Sequence, residues 1–220
     1  MLFRSLTMAV GPRSAGSAGD TAGVLWAVDM LKSLGLKNVR REEVLVPHWD
    51  RGTISVRITS PFPQSLVATS LGGSPGTPEE GIEAEVVRVE SLAELRALQS
   101  DDLHGRIAYI DYSMPRAKGG GGYSKASRLR SCRHVVAAER GAIATVIRSA
   151  GTSTHRFAHT GSMLKNFIPA DIPGVAISNM DADLLTYQMR SGRPVTLRLN
   201  LTARFLPDVI SANVIGEVPG

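Results

Sequence analysis

The run from Ala137 to Gly161, AAERGAIATVIRSAGTSTHRFAHTG, constrains the fold more than any other stretch. Ala142 to Ile147 is short, apolar and rich in small and β-branched side chains, the pattern of a strand covered on both faces. A helix ends before it at Arg140, and Gly141 offers the left-handed residue that closes such a helix. A helix, a glycine and then a doubly covered strand predict a sheet flanked by helices. Ligands of such sheets meet the loops beyond the carboxyl ends of the strands. Here those positions are Arg148 and Ser149, then a Ser/Thr/Gly-rich loop that carries His155 and His159 and ends at Thr160 and Gly161.

Around this stretch the elements fall in order. Asp20 to Leu34 predicts a helix capped by Ser17 or Asp20, with Val24, Leu25, Val28 and Leu31 on one face and Gly35-Leu36 as its stop. Val39 to Val46 predicts a strand, and Pro47-His48-Trp49 a change of direction. Ile54, Val56 and Ile58 alternate with polar residues as a half-buried strand does. Pro61 and Pro63 end it, Ser65 to Ser70 predicts another strand, and Leu71 to Gly81 a Gly/Pro loop. Ile82 to Val89 alternates again, Ser91 caps a helix running through Leu98, and Gly105 to Asp111 predicts a strand. A loop from Met114 to Gly122 then leads into a helix from Tyr123 to Arg140. Ala126, Leu129, Cys132 and Val136 share one side of it, and Arg128, Arg130, Arg133 and Arg140 lie mostly off that stripe. Ile168 to Pro173 leads into a strand at Gly174 to Ile177, and Ser178 or Asn179 caps a helix through about Arg190. Val195 to Phe205 and Ser211 to Val218 read as the last strands. A block of strands with helices inserted late favours an α+β fold with a largely β core.

Composition narrows the function classes. The chain has 220 residues, 43% hydrophobic and 20% charged, with a net charge of +5. These are ordinary globular values. Only 5% of residues are aromatic and the Arg and Lys are scattered, so no nucleic-acid face is expected. A single cysteine, Cys132, excludes an internal disulfide and reads as a small buried hydrophobe. No apolar run approaches the ~20 residues of a membrane span, and MLFRSLTMAVG is too short and polar for a secretory signal.

Several motifs invite chemistry and most fail on mechanics. Gly72 to Gly76 matches G-x-S-x-G, yet Pro75 follows the serine and has no N–H for an oxyanion hole, and no helix follows. His155 and His159 would share a face on a helix, but the sequence between them carries no Glu and no acidic residue lies from Gly141 to Leu164. A structural role for the two imidazoles is the expectation. Gly119 to Gly122 reads as a hinged surface loop. Arg148, charged and directly after a buried strand, needs an acidic partner such as Asp111 or Asp171, or a contact across a domain boundary.

Three segments in order carry a family resemblance: VPHWDRG at Val46 to Gly52, LGGSPGTPEEGI at Leu71 to Ile82 and IRSAGTSTHRFAHTG at Ile147 to Gly161. With them the chain from Gly11 to Gly220 resembles the protease-associated domain of zinc exopeptidases of the carboxypeptidase Q type. The resemblance implies a β-rich sandwich or partly closed barrel with flanking helices over 51–205. It also implies an N-terminal helix and strand over 1–50 and a return strand over 206–220, both belonging to the peptidase domain. It implies a secreted or periplasmic parent holding two zinc ions on catalytic-domain residues beyond Gly220, and no catalytic or metal residue within this chain. Arg148, Ser149, His155, His159, Thr160 and Gly161 would then border substrate or the catalytic domain, and peptides and that domain would be the partners. The chain would guide and cover without cutting, and its uncovered helix and strand would favour self-association. A free-standing interaction module is the alternative.

Overall fold

The computed structural model describes residues 2–163 and 172–218. The chain forms two compact units, Met1–Asp50 with Phe205–Gly220, and Arg51–Arg204. The first opens with helix α1 (Leu2–Ala9), which the sequence reading did not anticipate, followed by α2 (Ala18–Ser33) and strand β1 (Lys37–Asp50). The Ser17 hydroxyl accepts from the Asp20 amide and starts α2. Gly35, at φ 81°, with a bond from the Leu36 amide to the Leu31 carbonyl, closes it. The Trp26 indole donates to Ser5 on α1. The expected turn at Pro47 is absent, because β1 runs straight through to Asp50.

The second unit comprises β2 (Ile54–Ser60), β3 (Gln64–Leu66), β4 (Ala68–Ser70), β5 (Ile82–Val89), α3 (Leu92–Ala97), α4 (Ser100–Leu103), β6 (Ile107–Ile110), α5 (Tyr123–Glu139), β7 (Ala144–Arg148), β8 (Gly174–Ile177), α6 (Asn179–Met189) and β9 (Thr196–Leu201). Strand β10 (Arg204–Glu217) then pairs with β1 in a two-stranded sheet. The other eight strands form one mixed sheet in the order β3-β2-β9-β5-β6-β7-β8-β4. Its centre, β5 to β8, is parallel, and the flanks are antiparallel.

Two features curl this sheet. Strand β5 changes partner midway: Ile82–Glu85 pair with β9 and Val86–Val89 with β6. The stretch expected as one strand, Ser65 to Ser70, is split at Val67 into β3 and β4, which lie at opposite edges of the sheet. The two edges are thus consecutive in sequence and the sheet is nearly a closed barrel. The start of α6 holds the junction. The Val67 amide donates to the Asp181 carboxylate at 2.9 Å and its carbonyl accepts from the Ser178 amide at 2.9 Å.

Both faces of the parallel strands are covered, as the apolar run at Ala142 to Ile147 requires. Ile107, Tyr109, Ala144 and Val146 join the barrel interior, which α6 plugs with Ala182 and Leu185. Ala108, Ile110 and Ile147 point the other way, into a layer with Leu95, Leu103 and Ala137 from the helices. Arg133 departs from the expected amphipathic pattern: it is 1% exposed, on the core side of α5. The expected burial of the Cys132 side chain, and the approach from Ile168 to Asp171, lie outside the described residues.

Candidate functional site

The carboxyl ends of β5, β6 and β7 place Arg88, Asp111 and Arg148 side by side under a cleft of about 830 Å3. Asp111, one residue beyond β6, is the hub. Its carboxylate accepts from Arg88 Nε at 2.6 Å, Arg148 Nε at 2.6 Å, the Tyr109 hydroxyl at 3.0 Å and the Thr186 hydroxyl at 2.7 Å. Burial by itself would push the Asp111 carboxyl up, but the hydrogen bonds from Thr186, Arg148 and Arg88 and the charge of Arg148 outweigh it and hold the group below its ordinary value. Burial, with the adjacent Asp111 charge, pushes the Tyr109 phenol up. Arg88 also pairs with Glu90 at 2.6 Å and Arg148 with Asp183 at 2.7 Å. With four donors on two oxygens, Asp111 has no lone pair free to act as a base, so it fixes the cleft floor.

Arg148 therefore meets the sequence expectation of an acidic partner through Asp111; Asp171 lies outside the described residues. The remaining sequence-derived positions sit around this end of the sheet. Ser149 is fully buried: its hydroxyl donates to the Ile177 carbonyl at 2.7 Å and accepts from the His159 amide at 2.8 Å, which pins the loop to the strand. Residues 149–161 contain no helix, so His155 and His159 do not share a helical face. Their rings instead flank Phe157, at centroid distances of 6.1 Å and 4.8 Å. His155 and Phe157 are exposed, whereas His159 Nε2 is buried with no hydrogen-bond partner among the described residues. The Thr160 hydroxyl accepts from Arg51 at 2.9 Å. The Gly161 carbonyl accepts from the Gly72 amide at 2.7 Å, and the next residue bridges Gly72. The G-x-S-x-G turn is thus spent on pairing, and Ser74 is buried, accepting from the Gly174 amide at 2.9 Å.

Five side chains that matter here were not singled out from sequence. Arg88, Thr186 and Tyr109 complete the Asp111 hub. Asp181, 2% exposed, accepts from Val67, from the Ser178 hydroxyl at 2.6 Å and from Arg156 Nε at 2.9 Å, while Arg156 also donates to the Ser65 carbonyl at 2.8 Å. The spacing Ser178-x-x-Asp181 is a helix-start signature that could have pointed to Asp181. Nothing in the sequence distinguishes Arg156 from its solvated neighbours. Among the described residues no three His, Cys, Asp or Glu side chains gather as a metal site, and no helix is long and apolar enough to cross a membrane.

No family model matches the chain. Carboxypeptidase Q of Xenopus laevis is 35% identical over 212 residues, covering 96% of this chain and 44% of that relative. Carboxypeptidase Q of Bos taurus is 34% identical over 211 residues, covering 96% and 43%. Among solved structures, the peptidase M28 precursor from Shewanella amazonensis superposes with a TM-score of 0.92 at 44% identity, covering 99% of this chain and 49% of that one. A zinc aminopeptidase from Bacillus subtilis shares the fold at a TM-score of 0.63 and 22% identity. The chain spans less than half the length of the curated relatives it matches.

Proposed function

We propose, of a chain that is homologous over nearly all its length to carboxypeptidase Q, that Arg51–Arg204 covers and shapes the entrance to the active site of a zinc exopeptidase. The single observation that carries this is the 0.92 TM-score and 44% identity with part of an M28 peptidase precursor. The donor set zinc needs is not gathered among the described residues, so this chain is assigned no metal-bound step. In the reading, two zinc ions sit on another part of the parent protein and supply the activated water. The parent is exported, and peptides and the catalytic domain are the partners.

The chain's own contribution is positional. Arg148 and Ser149 anchor the stem of the 149–161 loop to the sheet, and the loop presents exposed His155, Phe157 and Thr160. An aromatic ring between two imidazoles suits contact with a peptide side chain and backbone, so these residues would act on which peptides enter. The test uses the complete parent reading frame. Phe157→Ala with His155→Ala should lower kcat/KM for tripeptides about tenfold, roughly 1.4 kcal/mol, and leave dipeptide kcat unchanged. The 220-residue chain by itself, with zinc added, should not turn over either substrate. Turnover by this chain alone, or indifference of the parent to the loop substitutions, would overturn the reading.

A further inference from the structure

A second cavity, of about 660 Å3, lies between α3 and α5, away from the 149–161 loop. Its floor is aliphatic, from Leu92, Leu129 and Val136, and its cationic lining comes from Arg96, Lys125 and Arg128. No carboxylate lines it, and none of the three cations forms an ion pair among the described residues. Lys125 only rests over the Tyr112 ring, at 4.9 Å.

The asymmetry is sharp when set against the neighbouring cleft. There, Glu90, Asp111 and Asp183 are each matched by an arginine. Here three like charges face a concave apolar surface that no carboxylate lines, although Lys125 also borders the neighbouring cleft. The first turn of α5 opens on the same place with no acidic residue and no side-chain cap, since Gly122 is its N-cap. Arg133, buried on the adjoining face of α5, adds a fourth positive charge whose guanidinium nitrogens have no hydrogen-bond partner among the described residues, with only the Glu94 charge acting on it from α3. The complement of such a groove is a molecule with one anionic head and an aliphatic tail, and the volume falls in the range of small-ligand cavities.

We propose that this groove binds a free single-chain amphipathic carboxylate, head toward Arg96, Lys125 and Arg128 and tail along Leu92, Leu129 and Val136. Titration calorimetry with decanoate, octanoate, acetate and decyltrimethylammonium tests it on the chain as it stands. Decanoate should bind saturably at one site. Octanoate should bind about sixteenfold more weakly, from roughly fourfold per methylene over two methylenes, and acetate and the cationic amphiphile should show no saturable binding. Lys125→Gln with Arg128→Gln should weaken decanoate at least tenfold with an unchanged circular dichroism spectrum, and Arg96→Gln serves if that pair misfolds. Failure of decanoate to saturate, equal binding of the cationic amphiphile, or unchanged binding by the folded variants would overturn the assignment. So would binding to phosphatidylglycerol vesicles without binding of monomeric decanoate, which would mark a membrane-facing surface instead.

Discussion

At the scale of single residues, Asp111 is where most of the site's electrostatics converge. Asp111→Asn leaves Arg88 and Arg148 facing a neutral group in a buried setting, and urea denaturation should show a loss of about 3–5 kcal/mol. The sign of the pH effect follows from the depressed carboxyl. The folded protein binds this proton less readily than the unfolded chain does, so the stabilisation is complete above the ordinary value of 3.8 and is lost as pH falls from there through the folded value. The Asn variant should show a flatter acid limb in a pH series of thermal melts. Arg133 predicts the opposite sign of mutation. Burial pushes its guanidinium down to about 10, so Arg133→Met should stabilise by about 1–4 kcal/mol in the same assay. The sequence showed that Arg148 must find an acid, because a charge after a doubly covered strand has few options. It did not show Arg133 inward, because a helix with a hydrophobic stripe this broken leaves the facing of each arginine to tertiary packing.

At the scale of elements, the alternating runs at Ile54 to Ile58 and Ile82 to Val89, the capped helix at Ser91 and the helix from Tyr123 were legible because each carries its own period or cap. The run from Ser65 to Ser70 was not. Its composition suits a strand throughout, and the bonds that hold Val67 at the break come from the start of α6, from the Ser178 amide and from the carboxylate of Asp181, 114 residues away in sequence. Such a break is a tertiary fact with no local signal. Asp181→Ala should therefore cost about 3 kcal/mol or more, through loss of several charge-assisted bonds. Hydrogen exchange should accelerate first at Val67 and in β3. Arg156→Ala, removing the half-exposed partner of the same carboxylate, should cost no more than about 1 kcal/mol. The 149–161 loop was legible as the place to look, from its position after β7; its internal arrangement around Phe157 was not, since ring contacts two residues apart in a loop have no sequence period.

For the whole molecule, the ends of the Arg51–Arg204 unit meet: the Thr202 amide donates to the Thr53 carbonyl at 3.1 Å and the Thr53 amide to the Thr202 hydroxyl at 2.7 Å. A fragment spanning this unit should fold alone and unfold in one cooperative transition by calorimetry. The other unit is different in kind. Its α2 helix buries no residue, and Leu25, Leu45 and Ile210 are at least half exposed. Light scattering of the chain at high concentration should show self-association, and Leu25→Gln with Leu45→Gln should reduce it. The barrel seam at Val67 says which surface such assembly will not use. A sheet recruits a second copy by offering unpaired backbone along a free margin. Here the outermost strands are three residues each and abut end to end, so this unit offers foreign strands almost no ladder on which to grow.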